Sequence, residues 1–288
     1  MRFFALLWAL GTPAQALSNP WTQAKTPAQG PAEAIGGYSA GCLRGALELS
    51  SSPLLQPMRP SRRRAFGHPE LIAMIFDAAQ KAAAKDFGTL LVGDISQPRG
   101  GPTTSLHASH QLGLDVDIWY WQPPKGATLS DEDREKLSAP NMVVPVFEGL
   151  SKNWRPETIE LLKIFAQEDR VQRILVDPVI KREACKAAPG QAWVGKLRPW
   201  WGHDDHFHVR IRCPDSGSPQ CEPQETVPPG DGCDGSLAEW FSPENRRHGR
   251  ERAEHPPVSQ MPALPPRCEE VLYWRPSGPH PHGFWIEP

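Results

Sequence analysis

The chain has 288 residues, 39% of them hydrophobic and 22% charged, with 31 basic against 33 acidic side chains. That composition can fill a core and excludes disorder along the whole chain, while the near-zero net charge argues against a nucleic-acid binder that relies on a positive field. The one uninterrupted apolar run, Phe3 to Leu10, is too short to span a bilayer as a helix, and 33 prolines, roughly twice the usual share, predict a loop-rich fold.

Residues 1–16 read as a secretory signal: Arg2, the apolar stretch Phe3 to Leu10, then Ala14-Gln15-Ala16 as a small-x-small cleavage site. The mature chain would begin at Leu17, and the absence of a cysteine there argues against a lipid anchor. Residues 17–35 form a polar, weakly patterned extension. All six cysteines (Cys42, Cys185, Cys213, Cys221, Cys233 and Cys268) lie in the mature part with no CxxC pair, which suits three disulfides better than a cysteine zinc site. Cys213 and Cys221 bracket the turn-forming Pro214, Ser216, Gly217, Ser218 and Pro219, so they are the best single pair; the other pairings stay open at this level.

Pro69 to Ala84 is predicted as a helix, with proline in its first turn and Leu71, Ile72, Met74, Ile75, Ala78 and Ala82 at helical spacing. His68, just before it, reads as a capping or packing residue. A short strand is expected over Thr89–Ile95 and a loop over Gln97–Thr104, where Pro98, Gly100, Gly101 and Pro102 fall together. Leu114 to Trp121 alternates apolar residues with Asp115, Asp117, Trp119 and Trp121, which predicts a strand with one apolar face and one carrying two carboxylates. A second helix follows at about Pro156–Gln167, then strands at Arg173–Val176 and His206–Arg212. Beyond Cys213 the chain is rich in proline, glycine and charge, and from about Asn245 little order is expected apart from the Cys268 anchor. This order predicts an α+β fold, a small mainly antiparallel sheet with flanking helices, loop-rich and disulfide-stapled, with its domain at 36–240 and an irregular tail at 241–288.

The histidines are clustered. His107 and His110 stand just before the strand bearing Asp115 and Asp117, and His203, His206 and His208 fall within six positions. Imidazole and carboxylate are the nitrogen and oxygen ligands of zinc, and a catalytic zinc takes three while keeping a fourth position for water. Residues two apart on a strand share a face, so one of His206 and His208 can bind metal while the other addresses the water. Gly113 permits a turn that lets His110 and Asp117 converge, which makes His110, Asp117 and His208 the candidate triad. Trp119, Tyr120, Trp121, Trp200 and Trp201 flank the clusters and could line a groove or fill the core. His248, His255, His280 and His282 lie in weakly structured sequence and are assigned to the surface.

Competing signatures fail on context. Gly37-Tyr38-Ser39-Ala40-Gly41 matches a serine-hydrolase nucleophile elbow, yet only about twenty mature residues precede it and no sheet has begun. Gly190 to Lys196 matches the start of a phosphate-binding loop, but Leu197 stands where Ser or Thr must hold magnesium. No HExxH occurs.

Ser109-His110-Gln111-Leu112-Gly113-Leu114-Asp115-Val116-Asp117 together with His206-Phe207-His208 resembles the paired motifs of the metallopeptidase group that includes lysostaphin-type enzymes, D-alanyl-D-alanine peptidases and the hedgehog signalling domain. Within that group the chain is most similar to the penicillin-insensitive murein endopeptidases, on Gly67-His68-Pro69-Glu70-Leu71, Leu106-His107-Ala108-Ser109-His110-Gln111, Arg198-Pro199-Trp200, His206 to Pro214 and Gly230-Asp231-Gly232-Cys233. The resemblance covers about residues 36–240. It implies zinc held by His110, Asp117 and His208, with His107 as a further candidate ligand, His206 acting on the attacking water or the transition state, and His203 beside it. It also implies Cys42–Cys268, Cys185–Cys233 and Cys213–Cys221 disulfides, and hydrolysis of peptidoglycan cross-links at the D-alanyl to meso-diaminopimelyl bond in the periplasm, insensitive to β-lactams. A D-Ala-D-Ala carboxypeptidase and a non-catalytic zinc-containing wall-binding domain are the alternatives.

Overall fold

In the computed structural model, which describes residues 19–103, 108–145, 149–254 and 261–276, the segments carrying the two carboxylates and the His-x-His pair become neighbouring strands of one sheet. The secretory signal at 1–16, His107, His255, His280 and His282 lie outside the described residues. Along the chain the elements are β1 (Glu33–Gly37), β2 (Ala40–Arg44), β3 (Leu47–Glu48), β4 (Leu55–Pro57), β5 (Phe66–Gly67), α1 (Pro69–Ala84), β6 (Leu90–Val92), β7 (Asp115–Trp119) and α2 (Asp131–Lys136). They continue as β8 (Val143–Val144), β9 (Gly149–Leu150), α3 (Thr158–Ala166), β10 (Val171–Val176), α4 (Pro178–Ala187), α5 (Ala192–Gly195), β11 (Leu197–Pro199), β12 (His206–Ile211), α6 (Gly235–Glu239), α7 (Pro243–Glu254) and α8 (Arg267–Leu272).

The main sheet has six strands in the order β11-β10-β12-β7-β6-β4. Its four central strands run antiparallel, as expected; β11 and β4 join the two edges in parallel, so the sheet is mixed. Alternation decides its faces. Val116 and Ile118 of β7 and Phe207, Val209 and Ile211 of β12 enter one core with Leu71 and Ile75 of α1 and Leu161 and Phe165 of α3. Phe165 meets Phe207 edge-on at 5.2 Å. The intervening Asp115, Asp117, His206, His208 and Arg210 are thereby turned to the opposite face, and this register builds the site.

Helix α1 occupies the predicted range because each of its signals is local. His68 caps it, its Nδ1 accepting the Glu70 N–H at 3.3 Å; Pro69 opens it, and Glu70 adds negative charge to the first turn. The Gln97 loop is organised by one side chain, whose amide donates to the carbonyls of Gly100, Gly101 and Pro102. All three disulfides implied by the resemblance are present, Cys42–Cys268, Cys185–Cys233 and Cys213–Cys221.

Residues 243–254 are a helix where the sequence led us to expect little order. Its start has a signal that the surrounding charge obscured: the Asn245 N–H donates to the Ser242 hydroxyl at 3.2 Å, with Pro243 and Glu244 in the first turn. Its side chains reach the loop before β12, His248 lying 5.0 Å from Trp201 and Arg252 5.4 Å over the same ring. Cys268, in α8, is drawn against β2 by its disulfide. The Gly37–Gly41 motif is the tip of the β1–β2 hairpin, where Gly37 pairs with Ala40, so no nucleophile elbow forms. In the other discarded motif the Gly190 N–H already donates to the Asp231 carboxylate at 3.0 Å.

Candidate metal centre

Opposite the helices, β7 and β12 pair so that Asp117 faces His208 and Asp115 faces Arg210. The turn entering β7 brings in His110. Its backbone is left-handed, with φ of 64°, and Gly113 repeats that conformation at 65°. A non-glycine residue held there stores backbone strain, which is tolerated where the surroundings over-determine it. Here the His110 N–H donates to Asp115 at 3.2 Å and its Nδ1 bonds the Ile95 carbonyl at 2.8 Å.

Both ring positions of the candidate ligands are thus settled. His110 spends Nδ1 on a carbonyl and directs Nε2 to Asp117 Oδ1 at 3.3 Å. His208 spends Nε2 on the Asp115 carboxylate at 3.0 Å and directs Nδ1 to the same Asp117 oxygen at 3.2 Å. Metal-binding histidines characteristically give their other nitrogen to a carbonyl or carboxylate. The donor set His110, Asp117 and His208 lies within 4.8 Å throughout and is buried. A tetrahedral ion with bonds of about 2.0–2.1 Å holds its ligand atoms roughly 3.3 Å apart, so two imidazole nitrogens and a carboxylate oxygen at these spacings fit a three-ligand metal site.

His206 stands beside that set. Its Nδ1 contacts Asp205 Oδ1 at 2.5 Å and its Nε2 lies 3.7 Å from Asp117 Oδ1. The His203 ring centre is 5.1 Å from that of His206 and 6.0 Å from that of His208, and His203 Nδ1 bonds the Trp201 carbonyl at 2.9 Å. The structure therefore gathers His110, Asp117, His203, His206 and His208 in one place. Among the aromatic flank, Trp119 and Tyr120 are core residues, whereas Trp200 is exposed.

The charges are strongly coupled. Burial opposes ionisation of Asp117, but His110 and His206 hold its carboxyl well below the usual range. Burial likewise disfavours charged His110 and His206, yet Asp117 outweighs it and lifts both to about 9, with Asp205 assisting at His206. His203 is driven well below its ordinary value by burial and by the neighbouring His206 and His208. A cation entering the site must therefore displace protons.

Three participants escaped the sequence reading. In the sequence Asp115 reads only as half of a carboxylate pair, and neither Asp205 nor Arg210 stands out. The signal for Asp115 and Arg210 was their strand spacing: Asp115 lies two residues before Asp117, and Arg210 two after His208, on the same faces.

Comparison with known proteins points one way. The family model described as penicillin-insensitive murein endopeptidase matches residues 34–273, which extends past the expected tail boundary at 241. A penicillin-insensitive murein endopeptidase of Yersinia enterocolitica is 40% identical over 262 residues, covering 88% of this chain and 90% of the relative. Another of the same name from Klebsiella pneumoniae is 39% identical over 276 residues, covering 93% and 96%, and one from Shigella boydii is 39% identical over 274 residues.

Proposed function

We propose that this chain, which belongs to the penicillin-insensitive murein endopeptidase family, hydrolyses the peptide cross-links of bacterial peptidoglycan with a zinc ion held by His110, Asp117 and His208. One observation carries the reading: three ligand atoms converge while the outer nitrogen of each histidine is already engaged by Ile95 or Asp115. The same set of two histidines and an aspartate, with a third histidine two residues before the last ligand, supports placing the family with the lysostaphin, D-Ala-D-Ala peptidase and hedgehog-type group. The bond we assign is D-alanyl to meso-diaminopimelyl and the compartment is the periplasm. Among the described residues no helix is long and apolar enough to cross a membrane.

Zinc in this position supplies Lewis-acid chemistry, polarising a scissile carbonyl and acidifying water. The protein supplies the proton handling. His206 is oriented by Asp205 and stays only partly buried, with 16% of its side chain exposed, so as an imidazolium its Nε2 can steady the developing oxyanion, and it can receive a proton from the attacking water once a cation on Asp117 offsets the charge that keeps it protonated. His203, held neutral with its ring centre 5.1 Å from that of His206, is the second candidate to act on the water or the oxyanion. His107 is retained as a further candidate ligand. The catalytic unit spans 36–240, preceded by a signal at 1–16 and an extension at 17–35; the Cys42–Cys268 bond and the packing of α7 on Trp201 tie the remainder to it.

The reading is tested by digesting purified cross-linked murein with the mature protein, with and without a chelator, and following products by mass spectrometry. We expect dimers to fall to monomers without loss of terminal alanine, to stop with chelator and to resume with zinc. Monomers that merely lose alanine identify a carboxypeptidase instead. Unchanged murein with zinc fully bound identifies a non-catalytic wall-binding domain.

A further inference from the structure

Strand alternation puts two charged residues below the candidate ligands, on the same face and directly paired: Asp115 on β7 and Arg210 on β12. Asp115 has no accessible surface, and an ionised carboxylate that deep must have its lone pairs taken. They are taken by two kinds of donor. Arg210 contributes Nε at 2.6 Å to Oδ1 and Nη2 at 3.2 Å to Oδ2. The other two come from the candidate ligands: His208 Nε2 at 3.0 Å to Oδ1, and the His110 backbone N–H at 3.2 Å to Oδ2. Arg210 is itself held, its Nη1 donating to Gln224 Oε1 at 2.7 Å and its guanidinium lying 4.2 Å over the Tyr38 ring.

From this junction we infer that Asp115 is the positioning residue of the metal centre, setting both histidines with one carboxylate, and that Arg210 supplies the charge that lets it be buried. The Oδ1 contact turns His208 so that Nδ1 faces Asp117, and the Oδ2 contact helps hold His110 in its left-handed conformation. A residue 5 positions from one ligand and 93 from the other couples them, so displacement of one strand against the other disturbs both at once. Asp115 is not one of the three candidate ligand atoms; it acts through the residues that supply them. The inference rests on the zinc reading above.

The test compares zinc affinity, by competition with a chromophoric chelator, and thermal midpoint for the wild-type protein and two double variants. In Asp115→Leu/Arg210→Met the ion pair is replaced by apolar side chains, a change that can leave stability intact while removing the acceptor. In Asp115→Asn/Arg210→Met the charge is equally absent, but an amide oxygen remains to accept from His208. We expect the Leu/Met protein to bind zinc ten- to a hundredfold more weakly, and the Asn/Met protein to recover to within a few-fold of wild type. Wild-type affinity in the Leu/Met protein overturns the inference. So does equal weakening in both, because Asp115 would then matter only as the partner of Arg210. If the Leu/Met protein does not fold, the Asn/Met protein decides alone, an affinity tenfold or more below wild type overturning the inference. A wild-type protein that takes up no zinc overturns the zinc reading itself, a result the variants cannot produce.

Discussion

His206 and His208 stand two residues apart on one strand, yet they should fail in different ways when replaced. His208 contributes Nδ1 to the three-atom set, whereas His206 contributes none; its Nε2 lies 3.7 Å from Asp117 Oδ1 and its Nδ1 is occupied by Asp205. Removing His206 therefore leaves all three ligands and their supports in place. On the proposed mechanism what is lost is proton handling, which is worth about 10²–10⁴ in rate. At about 1.36 kcal/mol per tenfold, His206→Ala should raise the barrier by roughly 3–5 kcal/mol while zinc content stays near one per chain. Asp205→Asn removes a charge-assisted hydrogen bond of roughly 1.5–3 kcal/mol; because the Asp205 side chain is 35% exposed, solvent screening favours the low end, about a tenfold loss. His208→Ala should lose zinc and activity together. The assay is kcat on a purified cross-linked muropeptide dimer, with zinc measured on the same samples by elemental analysis. A His206→Ala protein that keeps full zinc and more than a tenth of wild-type kcat would refute the reasoning, as would one that loses zinc in step with activity.

Gly113→Ala should destabilise the fold by about 1–3 kcal/mol and weaken zinc binding, since a methyl group there would sit 2.4 Å from Leu43 Cδ2 and 2.9 Å from the His68 nitrogen at φ of +65°; an unchanged urea midpoint would count against it. Burial, then Arg170, pushes His68 down to about 4 from 6.5, so the folded state keeps it neutral where the unfolded chain takes up a proton. That contribution is complete above pH 6.5 and is lost as pH falls to about 4, roughly 3 kcal/mol at about 1.36 kcal/mol per pKa unit. His68→Asn, which retains a cap acceptor, should flatten the stability curve in that window, and parallel curves for the two proteins would exclude the effect. Loop entropy ranks the disulfides: closing 226 residues through Cys42–Cys268 is worth about 5 kcal/mol, against about 2.5 kcal/mol for the separation of 8 in Cys213–Cys221. Paired serine replacements followed by urea unfolding should show that order, and the reverse order would mean that native packing dominates.

Much of this was visible in the residues. Helix α1 was legible because its cap, its opening proline and its apolar spacing all lie within sixteen positions, and the faces of β7 and β12 were legible because strand alternation is local. The candidate ligands His110, Asp117 and His208 followed from that alternation and from the glycine turn, and the resemblance raised the same three. The helix at 243–254 was missed because its Ser242-Pro243 start is set in a charged, proline-rich background in which composition outweighed a two-residue signal.

Partnership across long separations was not readable. That β7 lies against β12 in the register that sets Asp117 opposite His208, that one buried carboxylate serves two histidines 98 positions apart, and that His206 faces the site while contributing no ligand atom are outcomes of pairing between segments about 90 residues distant in the chain. Periodicity states which side of a strand a residue occupies, because that depends only on its neighbours; which strand comes to lie beside it depends on how the whole apolar set of α1, α3 and the six-stranded sheet can be buried at once. The sequence by itself determined the chemistry available and the face that would carry it, and the tertiary structure decided which of those groups meet, at what distance, and with which nitrogen turned inward.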